Sequence, residues 1–421
     1  MTDAVPAPMR PTILMLCNNF RKDNASRYLT NDLADALATA GAEVKVGVID
    51  WYTGTGKKPE LIRMPSGVEA LFVAPRALQG LGTTVANASK WLGASAFLTR
   101  ALKKTWGDRH FDLMISFSPL VTTGISVLWA KRHYRCRGVA YITDFFPLHQ
   151  EAAGQIKGSC KVAVGRALET MLMRCFETIA CMSPAGVVYL RDHYRLKNKQ
   201  TTSVLPLWGE IDPLPPIDPA VIRVRHDLPV DRPIILFGGQ VAEGRGIEDL
   251  LEMARLARRK RPELLFLLLG QGRLEPLVHA YIADGGDNVV LRPSIARSAY
   301  LQIAAACDIG LVATLGNTGA PTFPSKTIDY LRVGLPIAAS IEATTDYGDF
   351  IEENGFGRAV IAGDTARWLD AVMGILDEPE TYSAMVAAGR RTLLAHFDVA
   401  QASRLILKEG LDLDLPVMSR S

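Results

Sequence analysis

The 421-residue chain has almost no net charge, +3 at neutral pH, and so lacks the clustered Lys and Arg excess of a nucleic-acid-binding surface. Nucleic acid is set aside as a partner. Cysteine is sparse: Cys17, Cys136, Cys160, Cys175, Cys181 and Cys307 fall without Cys-x-x-Cys spacing, and several sit in apolar periodic segments where a thiol behaves as a small hydrophobe. That pattern fits a reducing compartment. No run of about 18–20 apolar residues is present to span a bilayer, and MTDAVPAPMRP lacks the charged-then-apolar layout of a signal peptide. A cytoplasmic protein is expected. Short repeats and low-complexity tracts are missing too, as is any His, Cys or carboxylate cluster with metal-ligand spacing. Asp412-Leu413-Asp414 spells a carboxylate pair, but it lies in the C-terminal tail, away from any expected cleft.

What is present is alternation. PTILMLC, RYLTNDLADALATAG and AEVKVGVID read strand, helix, strand, and the crossover requires parallel strands. FDLMISFS, a helix from Val121 to His133 and GVAYITD continue it. From Leu205 a proline-rich stretch interrupts both helix and sheet, after which RPIILFGG, ELLFLLLG, NVVLRP, DIGLVAT and PIAASI restart the strands with helices between. The expected fold class is α/β, two Rossmann-like doubly wound domains facing across a cleft. The boundaries read as an N-terminal domain at 1–205, a linker at 206–232, a C-terminal domain at 233–395, and a helix and tail at 396–421 that returns to the N-terminal domain.

In open parallel sheets ligands bind beyond the carboxyl ends of the strands, where helix N-termini and loop amides converge. Gly238 to Gly246, between a strand and a helix, is the leading candidate: Gly239 and Gly244 let backbone amides approach an anion, and the Arg245 guanidinium can take two phosphate oxygens. The second is Pro321-Thr322-Phe323-Pro324-Ser325-Lys326-Thr327-Ile328-Asp329. Ser325 reads as an N-cap; Lys326 and Asp329 share a helix face, a cation for phosphate and a carboxylate for sugar hydroxyls. Gln79 to Lys104, with Leu81, Val85, Trp91, Leu92, Phe97, Leu98 and Leu102 among basic residues, reads either as a helix packed on the first domain or as a face for an anionic membrane.

Together these segments resemble the retaining family-four glycosyltransferases of GT-B fold, most closely the fucosaminyltransferase-like branch of bacterial surface-polysaccharide enzymes. FGGQVAEGRGIEDLLEMA, LLLGQGRLEPL, TFPSKTIDYLRVGLPIAAS and SFSPLVTTGISVLWAKRHYRCRGVAYITDFFP carry the likeness, which runs from about Pro11 to Leu407. The resemblance implies a nucleotide-sugar donor, with a UDP-sugar favoured, a glycan or lipid-diphosphate-linked acceptor, no cofactor and no required metal. It places Arg245 at a diphosphate-binding cation and Gln240 where many members carry a second arginine. Asp329 falls at the second glutamate of the family's paired-glutamate motif, which holds the ribose; Pro321 falls at the first, so donor-sugar contacts pass to loop amides at Thr322 and Phe323. Gly272 and Arg273 fall in the second loop, near the base. Asp144 matches an aspartate at the cleft, with His149 close by, and Asn19 and Arg27 occupy the first loop; His149, Asn19 and Arg27 are expected on the acceptor side. A nucleotide-sugar epimerase of the same build and a non-catalytic partner subunit remain as alternatives. An oxidoreductase is disfavoured, because CNNFRKDNAS follows the first strand where G-x-G-x-x-G belongs.

Overall fold

The structure is a computed structural model that describes residues 10–23, 27–51, 57–74, 83–152, 154, 156–216, 218–314, 316 and 319–413, with 83–90 described in backbone only. The N-terminal domain runs β1 (Thr12–Cys17), α1 (Leu29–Thr39), β2 (Glu43–Ile49), β3 (Glu60–Arg63), β4 (Glu69–Val73), α2 (Thr83–Trp106), β5 (Leu113–Phe117), α3 (Gly124–Tyr134), β6 (Arg137–Ile142), α4 (Leu148–Ala152), α5 (Ser159–Met173), β7 (Thr178–Cys181), α6 (Pro184–His193) and β8 (Thr201–Val204). Its sheet has the order β3-β4-β2-β1-β5-β6-β7-β8, parallel except at the β3–β4 edge pair. The C-terminal domain runs α7 (Pro219–Arg225), β9 (Ile234–Gly238), α8 (Ile247–Lys260), β10 (Leu265–Leu269), α9 (Glu275–Ala283), β11 (Val289–Arg292), α10 (Arg297–Ala305), β12 (Ile309–Ala313), α11 (Lys326–Val333), β13 (Ile337–Ile341), α12 (Tyr347–Glu353), β14 (Gly357–Ile361), α13 (Thr365–Leu376) and α14 (Pro379–His396), after which α15 (Val399–Leu411) returns to the N-terminal domain. Its parallel sheet has the order β11-β10-β9-β12-β13-β14. Strands such as LFLLL read as unbroken apolar runs because helices cover both faces.

These orders fix where a ligand fits. In each sheet the chain lays strands outward on one side of the first strand, then crosses to the other, so the connections diverge between β1 and β5 and between β9 and β12. A crevice opens at each divergence, beyond the carboxyl ends of the strands.

The chain crosses between domains twice. The Gly209 amide donates to the Phe397 carbonyl at 3.0 Å, and Gly209 has no Cβ because one would stand 2.8 Å from Ile328. Arg332 and Arg390 of the C-terminal domain hold Asp212 and Ile211 by their carbonyls. Trp208 is buried, stacks on Tyr141 and donates to the Leu29 carbonyl. Past the second crossing, α15 lies on α1 and β6, where Gly410 brings it close to Leu113.

Two sequence readings change. The proline-rich stretch does hold a helix, α7, started by Pro219 under an Asp218 cap and anchored where Arg223 pairs with Asp308. Of the amphipathic segment, Gln79 to Gly82, Leu81 among them, lie outside the described residues, as does the side chain of Val85. In α2, Leu98 and Leu102 are fully buried, Phe97 is partly so, and Trp91 sits edge-on to Phe146, which leaves Leu92 exposed. Among the described side chains of α2, from Trp91 onward, these apolar residues other than Leu92 thus pack on the domain core.

Candidate active site

The C-terminal crevice is built by glycine and tyrosine. The Gly238 amide donates to the Tyr330 hydroxyl, and the Tyr330 ring lies where a Cβ on Gly310 would stand at 2.5 Å. Beyond β9 the chain stays paired with its neighbour: Gly239 donates to Leu269 and Val241 to Gln271. A Cβ on Gly270 would meet the Gly239 carbonyl at 1.7 Å, and one on Gly272 the Val241 carbonyl at 2.4 Å, so this approach requires glycine at both. Of the loop glycines expected to bring amides to an anion, Gly239 does not offer its own. Gly239 is bound to Leu269, and Gly272 donates to the Glu275 carboxylate at 2.6 Å. Gln240 is exposed at the crevice, and Gly244 turns the chain through a φ of +84° toward Arg245.

Lys326 opens α11 with its ammonium 3.9 Å from the Phe237 ring centroid and 3.6 Å from where a Gly239 Cβ would be. Burial first, and then the charge of Arg245, push it down to about 7. Two cations thus stand together at the β9–β12 divergence. The carboxylates nearest in sequence are occupied elsewhere: Glu243 pairs with Arg273 and Asp329 with Arg297. Among the described residues no ion pair joins Arg245 or Lys326 to a carboxylate.

The N-terminal domain supplies the opposite rim. After β5 a cis bond joins Ser118 to Pro119, and the Ser118 hydroxyl accepts the amides of Thr143 and Asp144 at 2.9 and 3.0 Å. Leu120 and Val121 donate their amides to the Glu169 carboxylate, which is fully buried on α5. Burial pushes Glu169 up to about 7 against the pull of those two amides. Asp144 lies 3.1 Å from His149 Nδ1, which donates to that carboxylate when it carries the ring proton and accepts the Phe145 amide when it does not. Partial enclosure in the cleft pushes the Asp144 carboxyl up, yet the hydrogen bond and charge of His149, then the charge of Arg245, hold it below the usual carboxylate range. More than half of its side chain still meets water. The His149 Nε2 atom is buried with no partner.

Arg245, Lys326 and Asp144 are therefore brought into one electrostatic neighbourhood, with His149 beside them. Other expected residues are engaged elsewhere. Asp329 receives both arms of Arg297 at 2.7 and 3.1 Å, and the i,i+3 pair with Lys326 does not form, because Lys326 turns toward Phe237. Burial pushes the Asp329 carboxyl up, with Arg297 opposing. Ser325 makes no capping bond, since its backbone is already helical; Thr327 bonds the Pro324 carbonyl instead. The Thr322 amide and hydroxyl both donate to buried Glu342, at 2.8 and 2.6 Å, so that amide is unavailable to a sugar. Phe323 packs its ring against Tyr347 and Phe350. Arg273 lies at the exposed rim. Arg27 pairs with Asp32 and Asp35 of α1, and Asn19 is exposed, its carbonyl accepting the Thr30 hydroxyl. The carboxylate pair in the tail also dissolves: Asp412 pairs with Arg137, and Asp414 lies outside the described residues.

Glu169, Glu342 and Arg297 were not read from the sequence. A carboxylate on the apolar face of VAVGRALETMLM was the available signal for Glu169; Glu342 and Arg297 had none.

Residues 232–378 match the family described as Glycosyl transferases group 1. The chain is 29% identical over 406 residues, 91% of its length and 93% of the other's, to WcaI of Escherichia coli (strain K12), named as a colanic acid biosynthesis glycosyl transferase. Among solved structures it is similar to sucrose-phosphate synthase from Thermosynechococcus elongatus, with a TM-score of 0.73 at 18% identity over 94% of this chain and 97% of that one. It is also similar to Anabaena Alr3699/HepE in complex with UDP-glucose, with a TM-score of 0.70 at 16% identity over 96% of this chain and 100% of that one. The chain is a glycosyltransferase with the GT-B fold, and it is residues 232–378 of its C-terminal half that match the group 1 glycosyl transferases.

Proposed function

We propose that the chain transfers a sugar from a UDP-sugar to a glycan or lipid-diphosphate-linked acceptor in the synthesis of bacterial surface polysaccharide, with retention at the anomeric carbon. The observation that carries this reading is the nearness of two cationic side chains, Arg245 and Lys326, neither of them in an ion pair with a carboxylate among the described residues, at the point where the β9 and β12 connections diverge. Such an arrangement is unfavourable until an anion enters it, and a diphosphate supplies two negative groups for two cations. The HepE complex with UDP-glucose and the WcaI name support the donor class and the polysaccharide setting.

As the anomeric bond breaks, negative charge grows on the leaving diphosphate. Lys326, packed over the Phe237 ring, and Arg245 beside it face the leaving diphosphate, so their attraction is stronger for the transition state than for the intact donor. This charge is supplied by side chains, and we hold the reaction to be metal-independent. Asp144, its backbone amide held by Ser118 and its carboxyl kept ionised by His149 and Arg245, accepts a hydroxyl of the bound sugar or acceptor. The acceptor proton passes to a donor phosphate oxygen, which leaves no separate base to be supplied. A place of work at the cytoplasmic face of a membrane follows from a lipid-linked acceptor and six free cysteines.

The test is a thermal-shift screen against nucleoside diphosphates and their sugars, followed by product analysis with chelator present. A ligand at 100 times its Kd adds about 2.7 kcal/mol to stability. Stabilisation by UDP and its sugars that Arg245→Ala and Lys326→Ala abolish is expected; unchanged binding in both variants would sink the assignment.

A further inference from the structure

The outward face of α5 is an apolar helical surface left open on the N-terminal domain. Val164, Leu168 and Met171 are 54%, 46% and 46% exposed, and their spacing puts them on one stripe with Ala167 between them. A helix this exposed normally turns polar residues outward, as α8 does with Glu252, Arg255 and Arg259. The exposed charged residues of α5 are both basic, Lys161 and Arg166 at the edges of the stripe, followed by Arg174 at its end. The one carboxylate of the helix, Glu169, faces inward and is bound to Leu120 and Val121.

Next to Arg166 lies a hollow of about 660 Å³ bounded by Arg166, Arg191, His193, Arg195 and Lys197, with Asp192 its single acid. Arg191 is braced by the Thr202 hydroxyl and Lys197 by the Arg174 carbonyl, so these cations are held in place. The stripe and the hollow meet at Arg166. An apolar ridge bordered by cations matches a bilayer interface, where acyl chains lie beneath phosphate headgroups. A protein partner with an acidic groove would ask for the charge but gain little from three aliphatic side chains in a row.

We propose that α5 and the adjoining basic hollow dock the enzyme on an anionic lipid surface, Val164, Leu168 and Met171 entering the headgroup layer and Arg166, Arg191, Arg195 and Lys197 meeting lipid phosphates. The surface adjoins the acceptor rim. Gly165 of α5 lies so close to Phe146 and Pro147, on the loop that carries Asp144 and His149, that a Cβ there would stand 3.0 Å from Pro147. A lipid-linked acceptor would then approach the cleft from the membrane without leaving it. This use of the surface rests on the proposed acceptor class; the docking itself does not.

Co-sedimentation of the full chain with vesicles tests it, using phosphatidylglycerol mixed into phosphatidylcholine against phosphatidylcholine alone. The wild type binds the anionic vesicles and is released by salt. The variant Val164→Ser/Leu168→Ser/Met171→Ser loses binding at all salt concentrations. Arg166→Glu/Arg195→Glu weakens it about fivefold or more for each basic side chain lost. Arg100→Glu/Lys103→Glu/Lys104→Glu, on α2, retains binding. Each variant must keep the wild-type melting temperature and its UDP-induced shift, which separates docking from misfolding and from failure of the donor assignment. Absence of wild-type binding to anionic vesicles, undiminished binding by the α5 triple variant, or loss in the α2 variant alone would overturn the proposal.

Discussion

The two rims of the cleft hold their charges in opposite ways. On the N-terminal rim Asp144 leans on His149, Arg27 on Asp32 and Asp35, and Glu169 on two backbone amides. On the C-terminal rim Arg245 and Lys326 are in no ion pair with a carboxylate among the described residues, Asp144 across the cleft feeling only the charge of Arg245, and Lys326 has drifted down to about 7 as a result of burial and that neighbour. A compensated rim keeps its shape whether or not a ligand is bound. An uncompensated one stores repulsion that an incoming anion relieves, so the difference marks which side receives the diphosphate and which side arranges the other reactant.

The largest way to break this contrast is to remove its cations. Arg245→Ala should cost about 10²–10³ in turnover, as loss of one preorganised oxyanion-type donor does elsewhere. Lys326→Met should lose turnover on a similar scale yet melt at a higher temperature than wild type at neutral pH, because it deletes an unpaired, enclosed charge. Steady-state rates and melting curves of the same preparations decide it. A Lys326→Met protein that is both inactive and destabilised would mean the lysine has a structural counter-ion after all.

A second effect follows from the sign of the Lys326 shift. Its ammonium is held at about 7 in the fold against 10.5 ordinarily, so the folded chain binds fewer protons than the unfolded chain between those values, and stability rises with pH across that window. A bound diphosphate restores the charged form. UDP binding at pH 8 should therefore take up close to one proton, and at pH 5.5 none. Calorimetry in buffers of different ionisation enthalpy reads this directly, and Lys326→Met should abolish the buffer dependence.

Glu169 gives the converse on the compensated rim. Burial raises it from 4.5 to about 7, so its contribution to stability is full below pH 4.5 and fades as pH rises through about 7. Glu169→Gln should flatten that decline in the melting temperature. Turnover should suffer less than in the cation variants, because Glu169 touches only the Leu120 and Val121 amides behind the rim.

What could be read in advance tracks how local the cause was. Arg245 and Lys326 were legible because each sits just past a strand in a sequence whose loop types are distinctive, and the parallel alternation dictates that such loops gather at one edge. Glycine at 270 and 272 was visible, but not its reason, since the crowding comes from carbonyls at 239 and 241 on a neighbouring strand. Glu342 was invisible for the same cause: its partners, Thr314 and Thr322, lie at the ends of another connection. Ser325 misled because a cap needs extended backbone as well as the right residue, and here the backbone was already helical.

The smallest effect concerns the place where the C-terminal rim departs from its own pattern. Arg297 grips Asp329 with both guanidinium arms, although the resemblance assigns that carboxylate to the ribose hydroxyls. The pair is partly open to water, 42% on the arginine side, so its net stabilisation is modest, about 0–1 kcal/mol. A ribose that needs Asp329 must compete with it. Arg297→Gln removes the competitor and should tighten UDP binding by at most about fivefold, while Asp329→Asn should weaken it whether or not Arg297 is present. The double variant decides between two roles. If Arg297 only blocks, Arg297→Gln/Asp329→Asn should bind as Asp329→Asn alone does; if the guanidinium itself contacts the nucleotide, Arg297→Gln should weaken binding from the start, and the rim would then use three cations where two have been assigned.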